Sequence, residues 1–261
     1  MKKIFVLLFA AAVLAVPQAK SQDMFNHMAV GATLGLDGIG VDLVMPMGSN
    51  IQLRAGYAID PIPISTKLDL GSFDVQGSTV NLNNVPLSVN AWKSGNGHLL
   101  CDFYPSKKGG FHISAGLFVN NGKLMSASAD LSKTLDKSNW GVAIGPEGGF
   151  KVSTDENGQL AIDVKTWVVN PYVGIGFGRA LNPEKTFNFV FDMGLMVWGS
   201  PSVQGYDYSN HIFDSSRPIK EVTIDGNSIK KYNETAAGLL DTLSSIPVCP
   251  YIRFGFYFKI F

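Results

Sequence analysis

The sequence predicts an all-β chain, an antiparallel up-and-down transmembrane β-barrel of about eight strands with long external loops. Three observations predict it. The stretch Phe187–Trp198, FNFVFDMGLMVW, alternates large apolar residues (Phe187, Phe189, Phe191, Met193, Leu195, Val197) with a phase that includes Asn188, Asp192 and Gly194. That is a strand with one oily face and one small, wet face, which suits lipid outside and a narrow lumen inside. Seven further segments show the same split. The connections between them, finally, mostly alternate between short and long, as an even-stranded barrel with both termini on one side requires.

A leader precedes the barrel. Lys2 and Lys3 lead into the apolar run Ile4 to Val16, and Ala19 and Ser21 flank Lys20 before a cut ahead of Gln22. The run is short of the ~20 apolar residues of a spanning helix. Residues 1–21 therefore read as a signal peptide and 22–261 as one barrel domain, exported to the outer membrane of a Gram-negative bacterium. Lys2, Lys3 and Lys20 leave with the leader, so 18 basic residues face 21 acidic ones, a net charge of −3. Without a basic cluster, nucleic acid is not an expected partner. After the leader no apolar run approaches helix-spanning length.

In order, the strands are His27 to Leu36, Ile39 to Met47, Ile51 to Ile59, His98 to Tyr104, Phe111 to Val119, Trp167 to Gly178, Phe187 to Trp198 and Tyr251 to Phe261. Asp37-Gly38 is a tight hairpin signal. Residues 60–97, 120–165 and 200–246 are the long connections. Within them ISTKLDL and STVNLNN read as extensions above the membrane, and Asn157-Gly158 as a hairpin flanked by FKVST and QLAIDV. The barrel has 10–12 strands if segments in 60–97 or 147–165 also span. A short helix is expected near 233–244, where Ala236, Leu239, Leu240 and Leu243 recur at helical spacing. Cys101 and Cys249 fall towards opposite membrane faces and read as free thiols.

The runs Asp102-Phe103-Tyr104-Pro105, Phe111-His112-Ile113-Ser114-Ala115-Gly116-Leu117, Pro171-Tyr172-Val173-Gly174-Ile175-Gly176-Phe177-Gly178 and Gly199-Ser200-Pro201 occur in that order. They resemble motifs of a family of small Gram-negative outer-membrane β-barrel proteins of uncharacterised function. The resemblance covers most of the chain after the leader and is densest in the second half. It implies the barrel fold and a short polar helix before the last strand, and it supplies no activity to carry over. The C-terminal Phe258-Lys259-Ile260-Phe261 departs from the family's aromatic-Arg-Phe ending but keeps the terminal Phe.

The inward phase carries Asp42, Arg54, His98, Asp102, His112, Asp192, Arg253 and Lys259. Asp42 and Arg54 lie diagonally across one hairpin and are expected to pair; His112 is expected to face Tyr104. The plain reading is a charge-paired network filling a lumen just wide enough for side chains. A ligand or proton path is the alternative. Gly174-Ile175-Gly176-Phe177-Gly178 lies inside a strand, not on a turn into a helix, so it is not a nucleotide fingerprint. The histidines His27, His98, His112 and His211 sit in no GxSxG-like context and no metal spacing. No catalytic residue, metal or cofactor is therefore expected. Tyr57, Phe103, Phe111, Trp167, Trp198, Tyr251 and Phe261 fit interfacial girdles. Tyr206, Tyr208 and His211 are the candidates for contact with an external partner. The expected function is non-enzymatic, a structural or surface-interaction role through the long loops. The expected partners are outer-membrane lipids and, during insertion, the barrel-assembly machinery. A narrow solute channel is the second reading and a lipid-modifying enzyme the third. A soluble lipocalin-like barrel would leave either the oily or the glycine stripe in water.

Overall fold

The computed structural model describes residues 27–68, 72–75, 78–81, 85–91, 95–133, 135, 137, 140–141, 151–224, 238, 241–242 and 244–260. The expected leader lies outside them, as do Phe261 and most of the 233–244 helix; the described residues 238, 241–242 and 244–245 in and beside that span are helical.

Eight strands close into an antiparallel barrel: β1 (Ala29–Gly35), β2 (Gly38–Pro46), β3 (Ile51–Ile59), β8 (Asn96–Phe103), β9 (His112–Val119), β12 (Val169–Phe177), β13 (Phe187–Val197) and β16 (Val248–Lys259). They pair in that order and β16 returns to β1. These are the eight segments read from the sequence, and among the described residues no further strand enters the barrel. The outward residues are those of the oily phase: Val41 is 62% exposed, Val173 55% and Phe258 54%. Side chains of that size left this open suit hydrocarbon, not water. On this face β13 and β16 carry an aromatic ladder, with ring centroids 5.1 Å apart for Phe187–Phe258, 5.3 Å for Phe189–Phe256 and 5.0 Å for Phe191–Phe254. Cross-strand pairs of this kind add ~0.5–1.5 kcal/mol each beyond their buried area.

The lower end of the barrel holds the start of β1, the end of β16 and three short turns; the three long connections and the tight β1–β2 turn lie at the upper end. There the long connections build one sheet. β4 (Ile64–Leu68), β7 (Val85–Ala91), β10 (Lys123–Asp130), β11 (Gln159–Lys165), β14 (Ser202–Asp207) and β15 (Lys220–Ile224) pair in the order β15-β14-β11-β10-β7-β4. Backbone bonds from Asn120 to Val168, Thr166 to Gly122 and Trp167 to Trp198 carry the barrel ladder into this sheet. It is thus the barrel wall continued upward. One face is apolar: Val152, Val203 and Ile224 cluster with Ile162 and Val164, and Val85, Ala129, Leu131 and Leu135 with Trp140.

The local expectations in the loops need correcting. Ile64–Leu68 extends upward as β4, whereas among the described residues Ser78–Asn81 (β6) pairs with Ser72–Val75 (β5) and not with the large sheet. The turn at Gly158 is present, with φ +75°. The strand that follows it, however, pairs with β10 and β14, not with the described residues 151–154; Ser153 bonds instead to Tyr206. A short helix α1 (Ser209–Phe213), which the sequence pattern did not signal, follows β14. Among the described residues no helix is long and apolar enough to cross a membrane.

Glycines on the inner face are spacers. Gly56 stands opposite both Asp42 and His98, and Gly176 opposite both His112 and Asp192. A Cβ at Gly56 would meet the Asp42 and His98 side chains, and one at Gly176 those of His112 and Asp192. Gly176→Val is expected to destabilise the barrel by about 1–3 kcal/mol through overpacking, read from urea unfolding of the detergent-solubilised protein. The outward Ile175→Val should change it by about 0.5 kcal/mol or less, as a lipid-exposed substitution.

Candidate functional site: a filled lumen and a groove on the upper sheet

The lumen is filled in three layers. At the lower end the connection between β12 and β13 tucks inward, and Ala180 and Leu181 pack against Ala29, Val44, Val190 and Tyr257. The buried Gln52 amide locks this plug: Nε2 donates to the Leu181 carbonyl at 2.5 Å and Oε1 accepts from the Leu181 N–H at 3.1 Å. Arg179 lies 4.1 Å over the Tyr104 ring and donates to the Ser106 carbonyl at 3.0 Å. Towards the upper end Leu100, Phe118, Tyr172, Met196 and Tyr251 form an apolar and aromatic layer. Above it the buried Asp37, on the tight β1–β2 turn, accepts from the Tyr251 hydroxyl at 2.7 Å and from Asn96 at 3.3 Å.

Between these layers lies the charged network. Arg54 on β3 is gripped by two carboxylates. Its Nε and Nη2 approach Asp102 at 2.6 and 2.8 Å, and its Nη1 and Nη2 approach Asp192 at 2.6 and 3.1 Å. β3 and β13 are diametrically opposed in the barrel order, so the Arg54–Asp192 bond crosses the full lumen. Arg253 on β16 spans it a second time, with Nη1 2.7 Å from His98 Nε2 and Nη2 3.2 Å from Asp42. The Tyr257 hydroxyl donates to Asp42 at 2.8 Å and the Ser114 hydroxyl to Asp102 at 2.6 Å. Bidentate charge-assisted bonds of this kind offset the large desolvation cost of burying the ions.

Two rows in this layer repeat one another. His98 reaches over Gly56 to Asp42, and His112 reaches over Gly176 to Asp192, each with Nε2 2.9 Å from a carboxylate oxygen. The rows flank the β8–β9 hairpin as mirror images in strand order. His112 Nδ1 faces the Gly110 carbonyl at 3.2 Å, so both of its nitrogens meet acceptors.

Seven sequence candidates, Asp42, Arg54, His98, Asp102, His112, Asp192 and Arg253, converge here, and the His112 ring lies 4.9 Å from that of Tyr104. The expected Asp42–Arg54 pair does not form. Arg54 turns to two carboxylates on other strands, and Asp42 to His98, Arg253 and Tyr257. Lys259 leaves the network altogether; its Nζ donates to the Pro183 carbonyl at the lower rim. Tyr251 belongs to the lumen, not to a girdle, because its hydroxyl finds Asp37 there. Tyr57, Phe103, Phe111 and Trp167 are exposed near strand ends as expected, while Trp198 Nε1 donates to the Ile246 carbonyl at 2.7 Å. The sequence reasoning missed Asp37, Ser114, Tyr257 and the Gln52–Leu181 lock as parts of the lumen filling. Ser114 and Tyr257 were visible as inward-phase residues, but nothing marked Leu181. Cys101 and Cys249 are free thiols on β8 and β16, which are not neighbours. Among the described residues no group of three His, Cys, Asp or Glu could hold a metal ion.

The loop candidates Tyr206 and Tyr208 lie on the upper sheet and its exit, with ring centroids 6.3 Å apart. They line a groove of about 420 Å³ with Lys123, Asp163, Ile219 and Glu221. Lys123 Nζ lies 2.5 Å from Asp163, and the Tyr206 hydroxyl donates to the same carboxylate. Burial works to lift the Asp163 carboxyl, but bonds from Lys123, Tyr206 and Ser126 and the Lys123 charge hold it below its usual range. Burial and the adjacent Asp163 push the Tyr206 phenol up to about 12. His211 is not part of the groove; it sits on α1 with Nδ1 2.7 Å from the Arg217 carbonyl.

Breaking the cross-lumen pair tests the network. Arg54→Met is expected to cost ~3–5 kcal/mol by leaving buried carboxylates without their cation. Arg54→Met with Asp192→Asn should cost less than the two single changes added together, because the sites couple. Urea titration followed by tryptophan fluorescence measures both. The upper sheet should respond to acid. Because folding lowers the Asp163 pKa, its contribution is full above the unfolded carboxylate value and is lost as pH falls towards the folded one. Asp163→Asn is expected to flatten the acid limb of the sheet's protease-resistance profile, with little change in the barrel.

No family model matches the chain, and no curated protein does. Among solved structures it is similar to CarO of Acinetobacter baumannii, at 16% identity over 88% of this chain and 96% of that one, with a TM-score of 0.44. It is also similar to A. baumannii CarO2, at 14% identity, 89% and 98% coverage and a TM-score of 0.46. A third is a major outer membrane protein from Thermus thermophilus, at 11% identity, 89% and 99% coverage and a TM-score of 0.36.

Proposed function

We propose that the protein is an integral outer-membrane barrel of a Gram-negative bacterium, delivered by a cleaved leader over residues 1–21. Its barrel is a sealed anchor, and its upper sheet is a contact surface outside the cell. The observation that carries this reading is the contrast between the two halves. The lumen is packed with the Ala180–Leu181 plug, the Arg54–Arg253 network and the Phe118–Tyr251 layer. The three long connections, in contrast, each contribute strands to one six-stranded sheet. Outer-membrane lipids cover the apolar band, and the barrel-assembly machinery inserts it. The protein is non-enzymatic on this reading, with a structural or surface-interaction role.

The runner-up functions fit the geometry less well. A solute path would have to pass all three layers. A lipid-modifying enzyme needs an activated nucleophile near an interface. Ser114 is buried and donates to Asp102 instead of to a histidine, while His98 and His112 are committed to carboxylates inside the lumen.

In planar bilayers the purified protein is expected to give no stepwise ion conductance, and on gels the unheated form should run faster than the boiled one. Reproducible conductance steps would overturn the sealed anchor. Recovery in the soluble periplasm without a heat-dependent shift would overturn the membrane reading itself.

A further inference from the structure

Among the described residues, the groove on the upper sheet is a concave polar feature away from the lumen that several strands build together. Lys123 comes from β10, Asp163 from β11, Tyr206 from β14 and Glu221 from β15, with Tyr208 just beyond the end of β14. Its charges are already spent on each other. Lys123 is held by Asp163, and Lys165 Nζ lies 2.6 Å from Glu221 at the edge. The Asp163 side chain is only 5% exposed and also accepts from Tyr206. An ionic ligand would have to break one of these pairs to gain its own. What the groove still offers is the Tyr208 ring, the Tyr206 ring with Lys123 Nζ 5.7 Å over one face, the Ile219 side chain and the rims of hydrogen-bonded polar groups.

The aromatic wall is also held in place. Ser153 N–H donates to the Tyr206 carbonyl at 3.0 Å, and Tyr208 N–H donates to Ser153 Oγ at 2.6 Å. Ser153 Oγ in turn donates to Asp207 at 3.2 Å, and Asp207 accepts from Ser209 N–H at 3.0 Å. A wall fixed before binding loses little ordering entropy when a ligand arrives. Rigid aromatic faces beside fully paired polar groups match a ligand with apolar C–H faces and many hydroxyls. A volume of about 420 Å³ accommodates a few sugar rings on the usual scale of small-ligand sites.

We propose that the groove between Tyr206, Tyr208 and Glu221 binds an uncharged saccharide. The inference rests on the reading of this sheet as the exterior surface, where glycans are encountered.

Saturation-transfer NMR on the detergent-solubilised protein tests it, with maltotetraose, cellotetraose and chitotetraose (the N-acetylated tetramer) as neutral probes. A guluronate tetramer serves as the anionic comparison and a glucosamine tetramer as the cationic one. At least one neutral probe is expected to receive saturation, with both charged tetramers weaker. Tyr208→Ala should weaken binding about tenfold, the effect of one lost aromatic platform. Tyr208 lies beyond the end of β14, outside the strand ladder, so this variant tests the site with less risk to folding than Tyr206→Ala. Silence from all three neutral probes overturns the proposal. So does stronger binding of a charged tetramer, or binding that Tyr208→Ala leaves unchanged. The heat-dependent gel shift of the same sample reports the membrane reading separately, so a chain that shifts but ignores the sugars sinks only the saccharide site.

Discussion

The structure depends on Arg54 being gripped from two sides inside the barrel. A barrel with an oily exterior builds its interior from the inward phase of every strand, and here two apolar layers enclose a charged one. In a closed lumen the polar groups on that phase must satisfy one another. Arg54 does this by binding Asp102 on the neighbouring strand β8 and Asp192 directly opposite. Arg253 does the same with Asp42 and His98. Two cations thus tie three carboxylates on three different strands, and the ties run across the barrel as well as along its wall. The desolvation penalty of such ions is large, and the multiple charge-assisted contacts of Arg54 and Arg253 offset it.

Such reach depends on what is missing from the strands between. His98 and Asp42 have β3 between them, and His112 and Asp192 have β12; each pair meets because the intervening residue is a glycine. The glycine stripe of Gly174, Gly176 and Gly178 therefore has a specific cause beyond a crowded lumen. Gly176 is the gap through which a histidine meets its carboxylate, and Gly174 makes room for the Tyr172 ring. Gly178 is a different case: at φ +100° it ends the strand and starts the turn that delivers Leu181 as a plug.

These causes separate what was legible in the sequence from what was not. Side-chain phase is a local property, so the eight strands, their outward faces and the inward set could be read one segment at a time. Pairing is not local. Asp42 and Arg54 were close on their hairpin, yet Arg54 found two carboxylates from β8 and β13 that no sequence interval ties to it. Lys259 had the right phase but lay one step too low, at the rim, where a backbone carbonyl was the nearer acceptor. Tyr251 sat near a strand end, as a girdle residue does, but its inward phase was the better guide. The upper sheet was hidden for the same reason. Its strands come from connections separated by barrel strands, so QLAIDV found its partners in β10 and β14, not in the adjacent residues 151–154.

The same constraint divides labour within the chain. Opening a path through the lumen would break the bonds of Arg54, Asp192 and Arg253 that tie the wall together. The upper sheet is free of that constraint. Its stability comes from an apolar face packed under Leu131, Leu135, Trp140 and Val152, leaving the opposite face to carry Lys123, Asp163 and Tyr206 without any duty to close a barrel. Substitutions on that polar face can therefore be made without removing a bond of the lumen network.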